Sequence, residues 1–280
     1  RVAMAAPPGT DDNARRLFAG SRRAYRAVMS TSTTDGLPLL LDAAERARRY
    51  LDGLDARSVA PDPAAVARLR ALDVELPAGG AAPAQVLAEL DEYVSPATMA
   101  MAGRRFFGFV IGGALPATLA ANWLAGAWDQ NTALSKITPG VATLEDVALR
   151  WLVAVLQLPA GTEGAFVTGA TMANFTALAA ARHRWSVEAD GLFGAPPITV
   201  VVGDEAHPTL IKALGLLGLG RRRVVTVPVD AQGRMRADRF PALPPGPAIV
   251  CVQAGHSNTG AFDPVEAICA LGGADEGWVD

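Results

Sequence analysis

Residues 198–208 read Ile-Thr-Val-Val-Val-Gly-Asp-Glu-Ala-His-Pro. The first five are all β-branched and do not alternate between apolar and polar residues, which is typical of a strand buried on both faces. The final proline favours the first turn of a helix. The stretch therefore predicts a strand, a short polar loop and a helix.

The sequence on either side repeats this arrangement. Further strands are predicted at residues 165–168, 224–229 and 248–253, and helices at residues 172–185, 209–219 and 265–271. Apolar strands separated by helices predict an α/β fold with a parallel or mostly parallel sheet. Another helix is predicted to start at Thr143, which has Asp146 three residues later, and to end before Pro159.

The first hundred residues have a different pattern. Helical periodicity indicates three short helices, at residues 39–54, 63–72 and 84–94, and each is too short to be stable alone. We therefore divide the chain into an N-terminal helical segment, residues 1–100, and an α/β domain, residues 101–280. The helical segment is expected to pack on a larger body or on a partner subunit.

Residues 106–128 carry no charge and are long enough to reach across a bilayer. Gly112, Gly113 and Pro116 interrupt them, however, and divide them into a short strand-like run at 106–111 and a helix at 115–128. Two short buried elements explain this pattern better than one membrane-spanning helix, so no membrane association is expected.

The composition limits the class of ligand. Half of the 280 residues are hydrophobic and 19% are charged, which excludes a largely disordered chain. The net charge of -3 provides no basic field for nucleic acid, so a small molecule is the expected partner. Cys251 and Cys269 cannot form a disulfide framework, and the widely separated histidines have no zinc-binding spacing. With no export signal in residues 1–16, a cytoplasmic location is expected.

Parallel sheets bind ligands at the carboxyl ends of their strands, which directs attention to three loops. The first loop contains Gly169, Ala170 and Thr171, directly before a predicted helix. Small residues and the free N–H groups of a helix N-terminus suit a phosphate. A tight turn that needs small residues would explain the same sequence, so this loop alone does not decide between the two interpretations.

The second and third loops carry imidazole groups. His207 precedes Pro208, so it could cap the helix, or it could stack on a flat ligand or move a proton. The third loop, residues 253–260, includes His256 and Ser257 and would otherwise be a solvated turn. His183 lies within a predicted helix beside two arginines and is expected at the surface. By topology the three loops are expected to meet at one edge of the sheet.

The order of several motifs resembles that of the group II pyridoxal-phosphate-dependent decarboxylases, relatives of the aromatic amino acid and glutamate decarboxylases. The similarity covers residues 85–271 and rests on Phe106-Phe107-Gly108-Phe109-Val110, Ala121-Asn122-Trp123-Leu124, Trp128-Asp129-Gln130-Asn131, Thr168 to Asn174, Asp204-Glu205-Ala206-His207 and Asn258-Thr259-Gly260-Ala261-Phe262-Asp263-Pro264. The resemblance implies a fold type I large domain like that of aspartate aminotransferase. It also implies a homodimer in which the N-terminal helices clasp the partner subunit.

The resemblance further implies the cofactor pyridoxal 5'-phosphate and assigns its ligands. Gly169, Ala170 and Thr171 would hold the phosphate, and His207 would be the catalytic residue that stacks on the pyridine ring. His256 and Ser257 stand where the family has the two threonines of a Gly-Thr-Thr step beside the cofactor. Phe106 and Phe107 match an aromatic stretch near the substrate pocket.

The implied reaction is decarboxylation of an amino acid through an imine that a lysine first forms with the cofactor. Lys136 and Lys212, the only lysines, are not at the family's lysine position, and the carboxylate that faces the ring nitrogen is not among these residues. Asp280 falls where the family has a histidine, two positions before that carboxylate. The chain is therefore expected to be the N-terminal portion of a decarboxylase. An aminotransferase of the same fold and a non-catalytic homologue are the alternatives.

Overall fold

The computed structural model describes residues 36–76, 79–109, 111–132, 134–186, 191–271 and 277–279. The chain divides into two compact units, Arg1–Ala127 and Trp128–Asp280.

The described residues of the first unit are mainly helical. Its helices are α1 (Leu37–Asp52), α2 (Pro63–Arg68), α3 (Pro83–Glu89) and α4 (Pro116–Trp128), with 3-10 or π turns at Leu69–Leu72, Leu90–Val94 and Ser95–Ala97. A proline is the first or second residue of each of these helices, since its fixed φ suits the first turn and its missing N–H costs nothing there. The predicted helices at residues 39–54, 63–72, 84–94 and 115–128 are thus confirmed.

The strand-like run predicted at residues 106–111 is wrong. Residues 106–109 and 111 form turns and irregular backbone, and Phe109 has a φ of 55°. A positive φ lies outside the β region, so an aromatic residue with this conformation interrupts any strand. Among the described residues, no helix combines the length and apolarity needed to cross a membrane.

The second unit contains helices α5 (Pro139–Val155), α6 (Ala170–Ser186), α7 (Pro208–Leu216) and α8 (Val265–Leu271). The last three confirm the predicted helices. The predicted start of α5 at Thr143 is wrong by four residues, because Pro139 opens the helix after Thr138. The Thr143 hydroxyl instead donates to the Pro139 carbonyl oxygen at 2.8 Å within the first turn.

Among the described residues, four parallel strands form the sheet: β1 (Thr199–Gly203), β2 (Val225–Val227), β3 (Ala248–Val252) and β4 (Gly277–Val279). Their order is β2-β1-β3-β4, which confirms the predicted α/β fold with a parallel sheet. The strand predicted at residues 165–168 is wrong, because this segment joins no ladder among the described residues. Its apolar composition had favoured a strand, but a strand also requires a neighbour for its backbone hydrogen bonds.

Both faces of the sheet are covered. On one face, α6 and α7 pack on β1 and β3 through Leu178, Val200, Val202, Leu210, Ala213, Leu214, Leu217, Ile249 and Cys251. On the other face, α8 and a turn before β3 contribute to a cluster of Val201, Val227, Met235, Val252 and Ile268. This burial explains why the strands are apolar at consecutive positions.

The strand order also positions a crevice. The chain passes from β1 to β2 on one side and then returns to place β3 on the other side of β1. In open α/β sheets, ligands bind at such a reversal, outside the carboxyl ends of the strands. The loops that follow β1 and β3 therefore leave the sheet on either side of this crevice.

Asp263 fixes the loop after β3. Its side chain is 7% exposed, and its two carboxylate oxygens accept hydrogen bonds from the backbone N–H groups of Met235 at 2.6 Å and Gln253 at 2.7 Å. The backbone N–H of Asp263 donates to the Gln253 carbonyl oxygen at 3.0 Å. One carboxylate thus joins the end of β3, the loop's return segment and the turn that follows β2.

Replacing Asp263 with alanine leaves one buried and one partly buried N–H group without their charged acceptor. We expect D263A to lower the free energy of unfolding by about 3 kcal/mol, measured by urea denaturation of the purified protein. The control is D238A, which removes an exposed carboxylate paired with Arg236 and should cost less than about 1 kcal/mol. Equal losses in the two variants would contradict the structural role given to Asp263.

Candidate functional site

The start of α6 is open and lined by small residues. A Cβ atom placed on Gly169 would meet nothing within 4 Å. The N–H groups of Met172 and Ala173 donate to the Gly169 carbonyl oxygen, at 2.9 and 3.0 Å, and close the first turn. In the described part of the chain, no hydrogen bond engages the N–H groups of Ala170 and Thr171 or the Thr171 hydroxyl. These donors, at the positive end of a helix, can bind an anionic oxygen group.

His207 caps α7. Its Nδ1 atom accepts a hydrogen bond from the Thr209 backbone N–H at 3.3 Å and lies 2.7 Å from the Thr209 hydroxyl oxygen. His207 as a residue is exposed. His207 therefore caps the helix, which is one of the predicted roles, and among the described residues its Nε2 atom makes no hydrogen bond.

A buried amide links the first loop's helix to this cap. Asn174, in the second turn of α6, is 4% exposed, and its Nδ2 atom donates to the Thr209 hydroxyl oxygen at 3.1 Å. The N-terminal turns of α6 and α7 therefore lie side by side, which brings the start of α6 towards the His207 cap.

The third loop is joined to the second through His256. Its Nδ1 atom accepts from the Asn258 N–H at 3.3 Å, so the proton is on Nε2, which donates to the Glu205 carboxylate at 3.1 Å. The His256 side chain is 7% exposed. The Gln253 amide also donates to the Glu205 carbonyl oxygen at 3.4 Å. These contacts confirm that the polar loops meet at one edge of the sheet.

A tight turn at Gly233 packs against the His256–Glu205 pair. Gly233 has a φ of 78°, and a Cβ atom there would lie 2.8 Å from the His256 ring and 3.1 Å from the Glu205 carboxylate. The Thr259 hydroxyl donates to the Gln232 carbonyl oxygen at 2.7 Å, so the third loop also rests on this turn. Only a glycine allows the backbone to approach the His256–Glu205 pair so closely.

The turn is stabilised by a carboxylate of its own. Asp230 accepts from the N–H groups of Gln232 and Arg234 at 2.8 and 3.1 Å and pairs with the Arg234 guanidinium at 2.7 Å. The hydrogen bond from the Arg234 side chain, supported by these amides, holds the pKa of Asp230 below its ordinary value. The pKa of Asp230 is lower in the folded than in the unfolded protein, so its ion pair and hydrogen bonds stabilise the fold at neutral pH. This stabilisation is lost as the pH falls through the folded-state pKa.

The remaining predicted positions are solvent-facing. Ser257 is exposed on the third loop, His183 is exposed on α6, and both Lys136 and Lys212 are exposed. Sequence reasoning did not assign a role to Asn174, Thr209, Glu205, Gly233 or Asp263. The polar side chains among them lie within or beside the three loops, but their pairing depends on strand order. Gly233 lay in a turn that was not among the loops considered.

Residues 66–279 match the pyridoxal-dependent decarboxylase conserved domain. The human acidic amino acid decarboxylase GADL1 is 26% identical over 209 residues, which cover 71% of this chain and 40% of that protein. Human cysteine sulfinic acid decarboxylase is 29% identical over 206 residues, 70% of this chain and 41% of that protein. L-2,4-diaminobutyrate decarboxylase of Rhizobium meliloti is 31% identical over 173 residues, 59% of this chain and 34% of that protein.

Solved structures have the same fold. The crystal structure of Oryza sativa TDC with PLP and tryptamine superposes with a TM-score of 0.77 and 22% identity, over 89% of this chain and 55% of that one. Mouse CSAD superposes with a TM-score of 0.71 and 24% identity, over 86% of this chain and 55% of that one. The chain spans about two fifths of the length of the curated relatives named here.

Substituting Gly233 tests the close approach of the turn to the His256–Glu205 pair. We expect G233A to lose about 1–3 kcal/mol more than G161A in urea denaturation, because its methyl group must displace His256. Gly161 is a matched control, since its φ of 87° imposes similar backbone strain while its Cβ position is open. Similar losses in the two variants would show that backbone strain alone accounts for the effect.

Proposed function

The chain belongs to the pyridoxal-dependent decarboxylase family, and we propose that it is the cofactor-binding part of an enzyme that decarboxylates an L-amino acid with pyridoxal 5'-phosphate. The observation that carries the proposal is the open N-terminus of α6 beside the His207 ring. Since the chain covers about two fifths of its relatives, the activity is proposed for the whole enzyme.

The first loop fits the phosphate of this cofactor. Gly169, Ala170 and Thr171 offer unengaged donors and no side chain larger than threonine, and the helix dipole favours a dianion at this position. We propose that the N–H groups of Ala170 and Thr171 and the Thr171 hydroxyl bind the phosphate oxygens.

His207 fits the pyridine ring. Its Nδ1 is engaged by Thr209, so the imidazole is held at one nitrogen while its exposed face can stack on a planar ring. When bound, the cofactor supplies an electron sink for the pair left on the amino acid as carbon dioxide departs. His207 is proposed to hold the ring in place and to offer the Nε2 proton to a neighbouring oxygen.

The third loop is proposed to lie beside the ring. Ser257 is exposed and has a free hydroxyl, which suits a hydrogen bond to the cofactor or substrate. His256 was predicted to be a cofactor ligand, and both its nitrogens bind within the protein. We propose that it contributes by holding Ser257 and its neighbours at the rim of the site.

A cytoplasmic homodimer is proposed as the working state. Several large apolar side chains on α5 are exposed in the single chain, including Trp151 at 70% and Val155 at 77%. Exposed apolar surface of this kind favours association with another protein surface. Sedimentation of the full-length protein at the dimer mass would support the proposal, and a monomer at micromolar concentration would contradict it.

The activity is tested on the full-length protein with carboxyl-labelled amino acids. The panel follows the relatives' names: aspartate and glutamate, cysteine sulfinate, 2,4-diaminobutyrate and tryptophan. We expect labelled carbon dioxide and an equal amount of amine from at least one of them. Amino transfer to a keto acid without carbon dioxide would contradict decarboxylation. Absence of both reactions and of a borohydride-reducible cofactor bond would favour a non-catalytic homologue.

Thr171 is expected to bind the phosphate through its hydroxyl. Removing one hydrogen bond to a charged group costs about 1.5–3 kcal/mol, so T171A should raise the Kd for pyridoxal phosphate about ten- to hundredfold. Titration of the apoenzyme by cofactor absorbance measures the change. The control is T176A, an exposed threonine on the same helix. An unchanged Kd in T171A would place the phosphate elsewhere.

A further inference from the structure

We infer that Asn174 and Thr209 are positioning residues that fix the tautomer of His207, with Nδ1 as an acceptor and the proton on Nε2. The catalytic role of this tautomer rests on the function proposed above, whereas the tautomer itself is a property of this chain's own hydrogen bonds.

The backbone N–H of Thr209 makes the first contact with the His207 ring. The N–H of Thr209 points at Nδ1 of His207 from 3.3 Å, and a backbone amide can only donate. This long contact favours a lone pair on Nδ1 without fixing it alone, and a neutral imidazole with an unprotonated Nδ1 carries its proton on Nε2.

The second contact is the hydrogen bond between the Thr209 hydroxyl and Nδ1 of His207. The Thr209 oxygen lies 2.7 Å from Nδ1, a distance at which either atom could donate. The amide proton beside Nδ1 favours the hydroxyl as the donor, and this shorter bond then supplies most of the preference for a lone pair on Nδ1. Asn174 makes this arrangement consistent, since its Nδ2 atom donates to the same hydroxyl oxygen at 3.1 Å and leaves the hydroxyl proton for His207.

The first donor in this series of hydrogen bonds, the Asn174 amide, is buried. Asn174 is 4% exposed, so water does not compete readily for its donor, and it lies one turn beyond Gly169 and Thr171. The bonds therefore run from the helix that opens the first loop, through Thr209, to the ring of His207. This chain of bonds couples the orientation of the imidazole to the first loop.

The experiment uses the full-length enzyme with ¹⁵N-labelled histidine. Nitrogen chemical shifts distinguish a protonated from an unprotonated ring nitrogen, and the H207Q variant identifies the signals of His207. We expect an unprotonated Nδ1 and a protonated Nε2 in the wild type. T209V should mix the two tautomers and lower kcat about three- to tenfold, the equivalent of one hydrogen bond, with a smaller change in KM.

Rescue separates orientation from packing. T209S keeps the hydroxyl without the methyl group and should retain both the single tautomer and the wild-type kcat. T143V is the control: it removes a helical threonine hydroxyl on α5 and should change neither the tautomer nor kcat. N174A is the second route, which we expect to mix the tautomers even if T209V does not fold. A single Nε2-protonated tautomer in both T209V and N174A, or a Nδ1-protonated His207 in the wild type, would overturn the inference.

The outcomes also distinguish this inference from the proposed function. A wild-type protein with the expected tautomer, mixed in T209V and restored in T209S, but with no decarboxylase activity, would contradict the function and leave the positioning role intact. Decarboxylase activity in a wild-type protein with the other tautomer would support the function and contradict the positioning role.

Discussion

Strand β1 hydrogen-bonds to a parallel neighbour along each edge and is buried on both faces, and every part of the site depends on this central position. Val200 and Val202 contact the α6 and α7 side, while Val201 contacts the α8 side. Each buried valine contributes about 1.5–3 kcal/mol of hydrophobic stabilisation, so the strand cannot slip by one residue without losing both clusters. The fixed register sets where the chain leaves the sheet after Gly203.

Polar groups then hold the loops that the sheet presents. Asp263 joins three backbone segments with one carboxylate, and the His256–Glu205 pair joins the loops after β1 and β3. Thr209 joins the starts of α6 and α7. The loops are thus held to each other as well as to the sheet, which suits a site that must keep a cofactor ring in one orientation.

The sequence allowed the α/β fold, the order of the elements and the positions of the three loops to be predicted, because these depend on local periodicity and on apolar runs. The failures at residues 106–111 and 165–168 show that apolar composition reveals neither the backbone conformation of a segment nor whether a neighbouring strand is available. The pairing of His256 with Glu205 was beyond sequence reasoning for a related reason. It depends on β3 lying beside β1, which only the assembled sheet determines.

The contact of Gly233 with the His256 ring joins two positions 23 residues apart into one steric unit. Two constraints favour glycine here: the φ of 78°, and a large ring in the space that a side chain would fill. Homologues with a small residue at position 256 would lose most of the steric constraint and keep the conformational one, which asparagine and aspartate tolerate better than other residues, whereas those with an aromatic ring would retain glycine. The two positions should therefore vary together during evolution, and this covariation would mark the branch of the family whose third loop is built around a buried imidazole.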